Sequence, residues 1–141
     1  MRGPYKYEIL SKYPHVSASE ADIWTRFIAK FPGFFDQVWY DVQIGGIRGD
    51  LSDLKDEWKS NAEYLGKYKI DVLGLKDGVY TIIELKKSAT TKALGEVWAY
   101  DFLFKQEWKP ENKVKNMIIT DEEMPNIRQI AEAEEVDLVV V

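Results

Sequence analysis

The stretch KYKIDVLGLKDGVYTIIELKKS, residues 67–88, constrains the fold more than any other part of the chain. Two apolar-rich segments, KIDVLGL and VYTIIELK, flank Asp77-Gly78, a dipeptide suited to the positive backbone φ angles of a two-residue hairpin turn. Such a turn fixes the pairing, because directly opposed residues must carry numbers that sum to 155. Asp71 then lies across from Glu84, and Lys69 across from Lys86. The strand period of two places Glu84 and Lys86 on one face. Opposed side chains hold their Cβ atoms ~4.5–5.5 Å apart, a separation at which like charges destabilise a sheet.

The surroundings make that repulsion matter. Leu73 and Ile82 lie beside the two acids, with Ile70, Val72, Ile83 and Leu85 behind them, so a sheet covered on both sides would bury the carboxylates. A cation held between them resolves the conflict, and a hard divalent ion with oxygen ligands, Mg²⁺ or Mn²⁺, suits two carboxylates. Lys86 would then stand beside the metal, where an ammonium orients a water or stabilises developing negative charge. The plainer alternative is a set of solvated charges that protect an exposed sheet edge from mispairing.

Composition narrows the chemistry. The chain has 141 residues, no cysteine and a single histidine, His15, which excludes disulfides, thiolate metal sites and thiol catalysis and disfavours a histidine-rich zinc site. A metal would sit on carboxylate oxygens. The net charge of −5 argues against a broad basic nucleic-acid surface and leaves room for a contact bridged by metal. No run approaches the ~20 apolar residues of a membrane helix, so no membrane partner is expected. The opening MRGPYKYEIL lacks the apolar core of a signal peptide, which leads to an expected intracellular location.

Residues 1–16 interleave Arg2, Lys6 and Lys12 with Tyr5, Tyr7 and Tyr13, an arm that either packs on its own domain or a partner subunit, or stacks on bases. A single domain is expected over 17–141. Within it SASEADIWTRFIAKFPG predicts a helix, with Ile23, Trp24, Phe27, Ile28 and Phe31 as its apolar stripe and Pro32-Gly33 as its stop. QVWYDVQI predicts a strand with Val38, Tyr40, Val42 and Ile44 on one face. Between residues 45 and 69, Leu51, Leu54, Trp58 and Leu65 suggest a short amphipathic helix. After the hairpin, KALGEVWAYDFLFKQEW reads as a helix apolar around most of its circumference and therefore largely buried. VKNMIIT, PNIRQIAEAEE and VDLVVV complete a strand, a helix and a strand. The apolar tail and the aromatic arm together suggest a homodimer.

The motif IDVLGL…YTIIELKK resembles that of the PD-(D/E)XK nuclease superfamily, an acidic residue at a strand end followed by E-x-K on the neighbouring strand. Asp71 stands for the first acid, and Glu84 and Lys86 for the E-x-K; Ile70 replaces the proline that often precedes the acid. The superfamily core runs α-β-β-β-α-β, the order read here from Ser17 to Thr120, and the strand–helix–strand tail looks most like the RecB-type and mismatch-endonuclease branches. The resemblance implies a restriction-endonuclease-like α/β fold, a central mixed β-sheet flanked by helices with an added C-terminal α-β. It implies a Mg²⁺- or Mn²⁺-dependent deoxyribonuclease, an endonuclease, with DNA as partner. Asp71 and Glu84 would be metal ligands, and Lys86 the catalytic lysine. Glu20 matches a glutamate that the first helix often supplies as a further ligand; as the third residue after Ser17 it equally fits a capping box. Glu96 and Tyr100 occupy a Gln-x-x-x-Tyr pattern, with Glu in place of Gln, and serve either the site or the packing of the helix. Lys87 and Lys92, with Ser88, are candidate phosphate contacts or members of a solvated loop. A different class of function, an inactive nucleic-acid-binding or assembly module on the same fold, is opposed by the complete Asp-Glu-Lys set.

Overall fold

The structure is a computed structural model that describes residues 2–45 and 68–141. Among these described residues the order is β1 (Arg2–Lys6), α1 (Ala18–Lys30), β2 (Gln37–Gln43), β3 (Lys69–Lys76), β4 (Val79–Ala89), α2 (Thr91–Trp108), β5 (Lys115–Glu123), α3 (Ile127–Ala133) and β6 (Val136–Val140). The strands form one sheet in the order β1-β2-β3-β4-β5-β6. β1 to β4 pair antiparallel, with only the β3–β4 connection a tight turn, whereas β4–β5 and β5–β6 pair parallel. The two parallel steps need crossovers, and α2 and α3 supply them. The protein is therefore α/β, with a mixed six-stranded sheet and three helices among the described residues. The amphipathic helix expected near Leu51–Leu65 lies outside these residues.

The hairpin turns where the sequence requires. Asp77 and Gly78 both adopt positive φ, 49° and 80°, and Val72 pairs with Ile83, Leu73 with Ile82 and Gly74 with Thr81, the register that sums to 155. Alternate residues of the hairpin feed two cores. Val72, Ile83 and Leu85 join Ile23, Trp24, Phe27 and Ile28 of α1, while Leu73 and Ile82 join Phe104 of α2, so helices cover both faces.

The alternation expected for β2 breaks at Asp41. Val38 and Tyr40 lie in the α1 core, but Val42 and Ile44 lie with Trp39 in the α2 core. Asp41 has φ 53°, a left-handed conformation that inserts an irregularity and exchanges the faces of the residues after it. Ile70, paired with Val42, likewise sits in the α2 core rather than behind the carboxylates.

The N-terminal arm packs on its own chain. β1 is an edge strand on β2, and Tyr7 and Tyr13 are buried in the α1 core. The Tyr7 hydroxyl donates to the Phe31 carbonyl (2.7 Å), and the Tyr13 hydroxyl pairs with Thr25 Oγ1 (2.7 Å). The tail VDLVVV is spent as β6 on β5. Both segments that suggested a dimer are thus occupied within the sheet. No described helix is long and apolar enough to cross a membrane.

Gly74 marks the tightest approach in the α1 core. A Cβ there would lie 2.5 Å from the Phe35 ring. Gly74→Ala is expected to push that ring out of a closed aromatic cluster and to cost about 1–3 kcal/mol, read as a lower urea midpoint with an unchanged slope.

Candidate active site

The site forms where β3 and β4 part. Backbone pairing between them ends at Val72–Ile83, although β3 stays paired with β2 as far as Lys69. The rung that Asp71 and Glu84 would have occupied is closed by their side chains. Asp71 N–H donates to Glu84 Oε2 (3.0 Å), and Leu85 N–H donates to Asp71 Oδ2 (2.9 Å). Each carboxyl is therefore anchored through one oxygen by the neighbouring strand's backbone. The fork also overturns the expected Lys69–Lys86 pairing: Lys69 turns to Asp41 (3.8 Å) and Lys86 pairs along β5 with Thr120.

Glu84 is buried, only 2% exposed, and Asp71 is half-buried. Burial raises the Asp71 carboxyl to about 6; Glu20's charge adds to this effect, and the bond from Leu85 N–H opposes it. Burial and then the charge of Asp71 push Glu84 well above the ordinary carboxylate range. The two titrations are linked, because a charge on Asp71 makes it harder for Glu84 to lose its proton.

Lys86 extends from the same face of β4 and meets Glu96 on α2, its Nζ 2.9 Å from Oε2. Burial works against the ammonium, but the bond to Glu96 and the charges of Glu84 and Asp71 outweigh it and raise the lysine's pKa. Tyr100, one turn after Glu96, has its hydroxyl held firmly protonated by burial and by the charges of Glu84, Glu96 and Asp71. Its ring lies 6.3 Å from that of Tyr68, just before β3.

The other sequence candidates divide. Glu20 lies close enough to Asp71 to act on its charge, and the Ser17 hydroxyl accepts from Glu20 N–H (3.4 Å) as in the first half of a capping box. Among the described residues no group of three or more acidic or histidine side chains gathers at metal-binding distance, so Glu20 does not join Asp71 and Glu84 as a third direct ligand here. Lys87 and Lys92 are exposed beyond the site, and the Ser88 hydroxyl donates to Glu122 Oε1 (2.5 Å).

The donor set fits a hard divalent cation of the Mg²⁺ type. Such ions keep several waters and use one or two carboxylates in place of a full protein cage. The pair offers one oxygen from each carboxyl that no backbone N–H anchors, at the place where negative charge is most in need of a counter-ion. Asp71 and Glu84 would hold the ion.

One neighbour of the site escaped the sequence, and one candidate acquired its partner only in the fold. Nothing local in the sequence marks Tyr68. The role of Glu96 as the anchor of Lys86 depends on how α2 crosses β4, a tertiary fact.

The fold and the site together define an α/β protein with an acidic pair and an adjoining lysine on a mixed sheet. Comparison with protein-family models, curated proteins and solved structures finds no match to this chain.

Proposed function

We propose that the protein is a metal-dependent nuclease that hydrolyses phosphodiester bonds in DNA. One observation carries the proposal: a buried and a half-buried carboxyl, both raised in pKa and each held by the other strand's backbone across a strand fork, with Lys86 on the same face. Burying such a pair costs stability, and clustered perturbed groups of this kind are typical of functional sites. The succession α1-β2-β3-β4-α2-β5 is also the core order of the PD-(D/E)XK superfamily, which supports a restriction-endonuclease-like arrangement.

When bound, Mg²⁺ or Mn²⁺ supplies Lewis acidity toward the scissile phosphate and lowers the pKa of a coordinated water. The chain's own residues prepare for that chemistry. Asp71 and Glu84 are fixed by backbone N–H groups, so their remaining oxygens need little reorganisation. Lys86 is kept charged by Glu96, and its ammonium has donors left to orient a water or to meet a phosphate oxygen. Tyr100 remains a proton donor at neutral pH. Exposed Lys87 and Lys92 meet backbone phosphates, and Glu20 assists through a water.

The test is nicking of supercoiled plasmid, extended to linear, flapped and four-way-junction substrates. Cleavage is expected in Mn²⁺ or Mg²⁺ and none in EDTA. Failure to cut any of these substrates in either metal defeats the proposal.

A further inference from the structure

The helix expected to be largely buried is not. Trp98 and Phe102 of α2 are 71% and 59% exposed. They belong to a stripe, Thr91, Gly95, Trp98, Phe102 and Lys105, whose members are all exposed and recur at spacings of four, three, four and three. That is the seam of a helix that packs against another helix. On an ideal helix the stripe lies opposite Glu96 and Tyr100, so it is independent of the candidate active site.

Gly95 sharpens the point. A glycine inside an exposed helix costs about 1 kcal/mol relative to alanine. A Cβ at this position would meet nothing within 4 Å in this chain, so packing within the chain does not explain the missing side chain. It leaves a dent beside Trp98 that opens into a recess of about 320 Å³, walled by Leu94, Trp98, Asn116, Glu134 and Val136. Asn116 gives its Nδ2 to Asp101 (3.2 Å), while its Oδ1 is buried with no partner. This end of the stripe offers an acceptor, the exposed Glu134 carboxylate. The other end carries Lys105, held by Asp101 at 2.8 Å.

We propose that this face of α2 binds a second copy of the same chain, the two α2 helices packing antiparallel about a two-fold axis midway between Trp98 and Phe102. That symmetry sets Trp98 against the partner's Phe102 and brings Lys105 to the dent at the partner's Gly95, beside the partner's Glu134. The charge complementarity is internal to the chain. A donor, Lys105, at one end and an acceptor, Glu134, at the other satisfy each other when the same surface meets itself reversed, as an isologous interface does. An ammonium has three donors, so Lys105 keeps Asp101 while reaching across. Two helices of this length bury less than the ~800 Å² per partner of a standard interface, so the dimer is reversible and concentration-dependent.

Sedimentation velocity of the full chain tests this over about 1–200 µM, where a dissociation constant of micromolar order is visible. The expected mass rises from 16.4 kDa to twice that value. The double variant W98E/F102E should remain at 16.4 kDa throughout, with the circular dichroism and thermal midpoint of the parent. K105E and E134K should each weaken association by about tenfold, and K105E/E134K together should restore it, because the swapped charges meet again across the axis. A parent chain that stays monomeric overturns the proposal. So does a dimer that survives W98E/F102E, since its interface lies elsewhere. Loss without rescue in the charge-swapped pair rejects the antiparallel arrangement.

Discussion

Asp71→Asn is expected to lower nuclease activity by about a thousandfold or more, the consequence of losing several kcal/mol of metal-derived transition-state stabilisation. The same variant should be at least as stable as the parent at neutral pH in EDTA. Asn keeps an oxygen that accepts from Leu85 N–H, as Asp71 does at 2.9 Å, and gains an amide that can donate to the Glu84 carboxylate. It also removes one of two mutually repelling charges. Alanine would confound the test, because a buried N–H left without its acceptor costs about 1–3 kcal/mol. Added Mn²⁺ should raise the parent's melting midpoint and barely move that of Asp71→Asn, since a ligand shifts the midpoint only through binding to the folded state. Lys86→Ala separates the two roles: the Mn²⁺ shift persists while cleavage is lost. Full cleavage by Asp71→Asn, together with unfolding in EDTA, would make Asp71 a structural residue and remove the basis of the metal site.

In EDTA the parent should lose stability as pH rises from about 4 to about 7, the reverse of what an ion-paired carboxylate produces. The sign follows from the direction of the shifts. Burial raises Asp71 to about 6 and holds Glu84 above its ordinary value, so across this window the folded state binds more protons than the unfolded one. The stabilising protonation is complete at the acid end and is lost as pH passes through the folded-state value. For Asp71 alone this amounts to roughly 2–3 kcal/mol at neutral pH, or several degrees in the midpoint. Asp36 pulls the opposite way at lower pH, because bonds from Asp77 N–H and Lys76 hold its carboxyl below the usual range. Saturating Mn²⁺ should reverse the slope, since the cation favours the deprotonated pair and its contribution grows as protons leave. Thermal melts at pH 4 to 8, with and without Mn²⁺, read both trends. A parent profile in EDTA parallel to that of Asp71→Asn would show that the pair does not titrate as its burial demands.

Gly74 and the α2 stripe show the same division between local and distant causes as the acidic pair. The hairpin was legible in the sequence because its cause is local: Asp77 and Gly78 accept positive φ, and a two-residue turn leaves one register. That register placed Asp71 across from Glu84, with Lys86 on the same face as Glu84. The stripe Ile23, Trp24, Phe27 and Ile28 likewise named the buried face of α1, since helical spacing alone brings those side chains together. Other features depended on partners far along the chain. Nothing in QVWYDVQI announces that Asp41 takes a left-handed conformation and sends Val42 and Ile44 to the opposite core. The fork that separates Lys69 from Lys86 arises because β3 follows β2 while β4 follows β5, a competition between two pairings that a hairpin sequence does not contain. The arm became an edge strand because β2 had an unpaired side. Apolar residues all around α2 signalled burial, yet a helix lying on a sheet has one face turned away from it, and only the packing of β4 and β5 decided that this face carries Trp98 and Phe102.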